Sequence, residues 1–324
     1  MSESGVRQYD RSAEDLGNIV ALEHVNLGIS DQGLATVFYV SGLGLTRDPY
    51  MMTSIDNMWV NVGRSQFHLP TTARAQRLRG RIGLVIPDRE ALLQRLDRVK
   101  GLLGDTRFAF VERDGLVETT CPWGNRIFCH DPSARFDGMG LGMAYVEFDV
   151  PRGSAAGIAG FYREVFSTGA RVETAGDAPA AHVSVGIGQE LVFRESDAAP
   201  EPYDGHHIQV YVANFSGPHR GLVERGLVTE ESNRHQYRFQ HIADPATGKA
   251  LFEIEHEVRS LRHPLHARPL VNRNPRQTNR AYVPGRDGWV PEPAVPKPGL
   301  PEIDDPRVEM RRQRFEDATR RAAG

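Results

Sequence analysis

The amino-acid sequence predicts an α+β protein assembled from four copies of a βαβββ unit. Two observations carry this reading. A strand followed by a helix with a Phe-Tyr pair occurs at residues 19–45 and again at 141–172, with Phe38-Tyr39 and Phe161-Tyr162 at nearly the same distance after each strand. Each strand–helix segment is then followed by short runs that alternate apolar and polar residues, the period-two signal of a half-buried sheet.

Taken in order, the first unit opens with an apolar strand from Ile19 to Ile29, and its helix stops at Gly42-Leu43-Gly44, where glycine accommodates a helix end. It closes with strands at 58–62 and 65–69. The second unit opens at Arg81–Ile86, continues as a helix over Arg89–Val99, and closes at 116–120 and 126–130. The third opens at Met143–Val150 and closes at 182–185 and 190–193. The fourth opens at His207–Val212, carries its helix over 218–225, and closes at 237–241 and 251–255. Superposing the first strands makes His24, Arg81, Tyr145 and His207 equivalent, with separations of 57, 64 and 62 residues. Turn residues at Trp123-Gly124-Asn125 and Asp244–Gly248 join the last two strands of their units.

This order implies an arm over 1–18, a domain of two units over 19–135, a second over 140–258, and an extension over 259–324. Ten of the 21 prolines lie between Pro264 and Pro306, so the extension is expected to run extended along a surface before a charged helix from Asp305 to Ala323. The net charge of −3 and the scattering of basic residues argue against nucleic acid as a partner. No apolar run is long enough to span a bilayer. Two cysteines, Cys121 and Cys129, and no apolar leader point to a reducing, cytoplasmic setting.

The four-unit pattern, the phrase Gly205-His206-His207-Ile208 and the Asp-Pro-x-x-Gly turn leading into a glutamate-bearing strand resemble the vicinal-oxygen-chelate superfamily over residues 19–258. Within it, a four-unit chain looks like the extradiol ring-cleaving dioxygenases. The resemblance implies paired units around a divalent metal, iron(II) favoured and manganese(II) the alternative. It implies that the C-terminal pair is catalytic, acting with O2 on a small aromatic or enolic vicinal diol. A homodimer is expected as well.

By that resemblance, metal ligands come from the first strands of units three and four and the last strand of unit four: Tyr145, His207, and Glu253 or Glu255. Imidazole and carboxylate suit such a centre, whereas the phenol of Tyr145 is a poor ligand for iron(II) and is assigned to substrate contact, with His235 and His241. The family's acid/base histidine, on the last strand of unit three, has no counterpart there. A second constellation, His24 and His68 in unit one, matches ligand positions of glyoxalase-like members, but its expected partners in unit two are Arg81 and Phe128. Two rivals to the dioxygenase stand beside it: a metal-free binding protein, and an isomerase, lyase or epimerase on the same fold.

Overall fold

A computed structural model of the protein describes residues 9–51, 56–175, 178–198 and 201–271. Unit one comprises β1 (Ile19–Asn26), α1 (Gln32–Ala35, continuing as a π-helix over Thr36–Gly42), β2 (Thr46–Arg47), β3 (Asn57–Val62) and β4 (Ser65–Pro70). Unit two comprises β5 (Gly80–Val85), α2 (Arg89–Val99), β6 (Ala109–Arg113), β7 (Leu116–Thr120) and β8 (Arg126–His130). Unit three comprises β9 (Gly142–Pro151), α3 (Ala155–Phe166), β10 (Ala170–Ala175), β11 (Ala178–Gly186) and β12 (Gln189–Ser196). Unit four comprises β13 (His207–Val212), α4 (Ser216–Glu224), β14 (Val228–Asn233), β15 (Gln236–Ala243) and β16 (Ala250–Ser260). Two of the helices begin on an aspartate cap: the Asp31 carboxylate accepts from Leu34 N–H, and Asp88 from Ala91 N–H.

The strands form two eight-stranded sheets. Sheet one runs β14-β15-β16-β13-β1-β4-β3-β2, and sheet two runs β10-β11-β12-β9-β5-β8-β7-β6. Unit four therefore shares a sheet with unit one, and unit three with unit two. This corrects the expectation that neighbouring units one and two, and three and four, pair into consecutive domains. Alternation identifies strands but carries no information about which free edge each will meet. In sheet two the meeting of β5 and β9 depends on two glycines. A Cβ at Gly80, where φ is +152°, would lie 1.8 Å from the Glu147 carbonyl oxygen, and one at Gly83 would lie 2.0 Å from the Tyr145 ring.

One face of each sheet packs with the helices into a single apolar core. Val25, Phe67, Ile208, Val210 and Ile254 enter it from sheet one, Ile82, Val146, Phe148 and Phe193 from sheet two. Both Phe-Tyr pairs are fully buried in it, each ring contributing about 1.5–3 kcal/mol by leaving water. Cys121 and Cys129 are free thiols in the same core. No helix among the described residues is long and apolar enough to cross a membrane. The expected terminal helix at 305–323 lies outside the described residues.

Candidate metal centre

Strand period places His24 and Asn26 of β1, His68 of β4 and His207, Gln209 and Tyr211 of β13 on the face of sheet one opposite the core. The antiparallel register sets Asn26 against His207 and His24 against Gln209, while β4 runs parallel to β1 with His68 beside Asn26. Three imidazoles converge as a result. One ring nitrogen from each of His24, His68 and His207 lies within 4.8 Å of the others. Ring centroids are 5.8 Å apart for His24–His68 and 5.7 Å for His24–His207. The two candidate constellations of the sequence thus meet in one site, because unit one pairs with unit four.

Carboxylates orient two of the rings. Between Leu22 and His24 the β1–β13 register slips by one residue, a bulge that re-aims Glu23. His24 Nδ1 donates to Glu23 Oε2 at 2.8 Å, and His207 Nδ1 lies 3.5 Å from Glu255 Oε1. Each ring so held turns its Nε2 inward, and among the described residues neither buried Nε2 has a hydrogen-bond partner. Carboxylate behind, free imidazole nitrogen in front is the arrangement of metal-binding histidines. His68 is held differently. Its Nδ1 accepts from Asn26 Nδ2 at 2.6 Å, its Nε2 donates to Asn57 Oδ1 at 2.7 Å, and its ring stacks on Trp59 at 3.9 Å.

Burial disfavours the charged imidazolium, and it pushes His24 and His207 well below the usual histidine range and His68 down to about 2. His24 presses on both neighbours in the same direction, and Arg259 and Arg238 add to it. All three rings are therefore neutral near pH 7, the state that offers lone pairs. The partnerless nitrogens and the imidazole–carboxylate donor set fit a divalent transition metal.

The glutamate nearest the inward face is one the sequence reading missed. Glu257 Oε2 lies 3.7 Å from His207 Nε2, and the residue is 3% exposed. Register makes it the counterpart of His68: His24 pairs with Gln66 and His68 follows two residues on, while His207 pairs with Glu255 and Glu257 follows two residues on. Burial raises the Glu257 carboxyl, against the pull of Arg259 and Arg238, both of which pair with it. The resemblance pointed to Glu253 or Glu255 on this strand, with the register left open by the length of the Asp244–Gly248 turn. The signal available was the continued alternation through Glu253, Glu255 and Glu257.

Other expected residues fall elsewhere. The Glu253 carboxylate accepts from Gln240 Nε2 at 2.6 Å. His241 pairs with Glu253, whereas Arg238 is the residue beside Glu257, so His241 sits four β16 residues toward the hairpin tip, about 13 Å along the strand. His235 lies in the β14–β15 turn, its Nε2 accepting from Arg234 Nε and its ring 6.5 Å from His263. Tyr145 is on sheet two, between Gly83 and Glu190, with its hydroxyl 3.0 Å from His130 Nε2. Its expected contact with substrate beside His207 is corrected, since β9 meets β5 and not β13. In sheet two the equivalent site face is closed by ion pairs of Arg81 and Arg194 with Glu147, at 2.8 and 3.1 Å, and Arg81 lies over the Phe128 ring.

No protein-family model matches the sequence, and no curated protein sequence matches it. Solved structures do. A Bacillus subtilis protein described as a candidate dioxygenase superposes with a TM-score of 0.50 at 15% identity, over 76% of this chain and 86% of that one. Glyoxalase I from Zea mays superposes with a TM-score of 0.52 at 9% identity, over 74% of this chain and 92% of that one. Likeness at such identities concerns architecture, and with the four βαβββ units and two mixed sheets it leads to one conclusion: the protein has the fold of the vicinal-oxygen-chelate superfamily.

Proposed function

We propose that the protein is a metal-dependent oxidoreductase of extradiol-dioxygenase type, acting on a small molecule with two adjacent oxygens. The observation that carries this reading is the pair of buried Nε2 atoms of His24 and His207, neither of which has a hydrogen-bond partner among the described residues. With Glu257 they make a 2-His-1-carboxylate set, a donor set that leaves positions open for substrate and O2. The first-strand ligand and acid/base histidine expected in unit three have counterparts in unit one, as His24 and His68. Bound there, iron(II) or manganese(II) supplies Lewis acidity and a path for electrons between substrate and O2.

The protein's own groups do the rest. Glu23 and Glu255 hold the two ligand rings with Nε2 inward. His68, neutral and fixed by Asn26, Asn57 and Trp59, offers its Nδ1 lone pair to a substrate hydroxyl that replaces Asn26, and so orients it. Arg238 and Arg259 offset the charge of Glu23, Glu255 and Glu257.

The test is metal analysis of anaerobically purified protein, followed by oxygen uptake with catechols. About one iron or manganese per chain is expected, lost in His24→Ala and His207→Ala. His68→Gln is expected to keep the metal and, by misplacing the substrate hydroxyl, lose turnover by about 10²-fold. Wild-type protein without metal affinity overturns the reading in favour of a binding protein. A second reading follows from the closeness of His68 to the other two rings: if His68→Gln also loses the metal, four protein donors hold it, and isomerase or lyase chemistry is preferred.

A further inference from the structure

Beyond His24 and His207, the same face of β13 carries more buried polar groups that have no hydrogen-bond partner among the described residues. Gln209, two residues from His207 and opposite His24, is fully buried, and among the described residues neither its Oε1 nor its Nε2 has a hydrogen-bond partner. Tyr211 follows at 2% exposed; its hydroxyl lies near Arg259 but outside hydrogen-bond geometry. Past Tyr211 the chain that leaves β16 lies against β1, and a cavity of about 560 Å³ opens between them, lined by Glu23, Arg64, Tyr211, His266 and Arg268, among others.

Arg268 is built into this cavity. Its Nη2 donates to Asp48 Oδ2 at 2.7 Å and to Gln66 Oε1 at 3.2 Å, which fixes the guanidinium. Its Nε and Nη1 are buried and have no acceptor among the described residues. Glu23, the acidic residue of the lining, is already engaged by His24 and Arg259. Buried N–H groups without acceptors are costly, and a row of them ending in a fixed guanidinium is completed by an acceptor-rich ligand. Glu23 lines this cavity and accepts from His24 Nδ1, so the cavity borders the histidine cluster on the side of that ring.

We propose that this cavity is the subsite for a carboxylate on the substrate. The inference rests on the three histidines being the reacting centre, and it narrows the substrate to an acidic molecule. The adjacent oxygens lie at His24 and His207, the body passes Gln209, and the carboxylate meets Arg268. From His207 to Tyr211 the strand advances about 13 Å, so the carboxylate is separated from the reacting ring by a short chain.

The test uses 3-(3,4-dihydroxyphenyl)propanoate and its methyl ester as probes, titrated calorimetrically into metal-free protein. Wild type is expected to bind the acid at least about tenfold more tightly than the ester, as a charge-assisted hydrogen bond implies. Arg268→Met is expected to abolish that preference, Arg268→Lys to retain part of it, and Gln209→Leu to weaken both probes. Equal binding of acid and ester by wild type overturns the subsite. So does a loss in Arg268→Met that is the same for both probes, which is the signature of a merely structural arginine. An acid preference that vanishes in Arg268→Met, in a protein that takes up no oxygen when loaded with iron, supports the subsite and overturns the dioxygenase.

Discussion

His24 and Glu23 are adjacent in a strand, where regular pleating would send them to opposite faces, yet they share a hydrogen bond. The bulge between Leu22 and His24 makes that contact, and with it the orientation of the ring. The choice among three same-face glutamates is likewise decided residue by residue. Glu253 is engaged by Gln240, Glu255 stands beside His207 Nδ1, and Glu257 stands beside its free Nε2. Glu257→Gln is therefore expected to cut iron content sharply, while Glu253→Gln leaves it at the wild-type level. The reverse pattern in a colorimetric iron assay would refute the register argument.

At the scale of elements, each unit presents its first strand as a free edge, and what matters is which edges join. The β5–β9 junction depends on Gly80, whose φ of +152° and lack of Cβ let the Glu147 carbonyl approach. Gly80→Ala adds both backbone strain and a steric clash, and a loss on the order of 3 kcal/mol is expected. A urea midpoint unchanged from wild type would mean that the two strands do not approach this closely. The same junction carries Tyr145 away from His207, so an element-level choice removes a residue that its strand position had made a candidate.

The whole molecule buries several neutral histidines, and acid stability should report it. His256, stacked on Phe239 and joined to the Tyr162 hydroxyl at 2.6 Å, is pushed by burial down to about 3. His68 is pushed down to about 2. For such a group the unfolded chain takes up a proton near pH 6.5 while the folded one does not. Its stabilising contribution is complete above 6.5, declines as pH falls below that value, and is gone past about 3. Metal-free protein is expected to lose on the order of a few kcal/mol between pH 7.5 and 5, and His256→Phe to lose less over the same interval. Equal urea stability of the wild type at the two pH values would contradict neutral burial of these rings.

How much was legible follows from what each signal measures. Alternation and glycine stops are local, and they sufficed for the four βαβββ units and the strand positions of His24, His68 and His207. Ligand-type residues at equivalent strand positions named His24, His68 and His207, one ring nitrogen of each lying within 4.8 Å of the others. The resemblance named Glu253 and Glu255, whereas the β13–β16 register puts Glu257 beside His207 Nε2. The pairing of distant edges lies in no local pattern. Unit one meets unit four, and unit two meets unit three, through contacts of high sequence separation whose free energy depends on how whole surfaces fit. That choice, made only in the tertiary structure, brought His24 and His68 to His207 and sent Tyr145 to the other sheet.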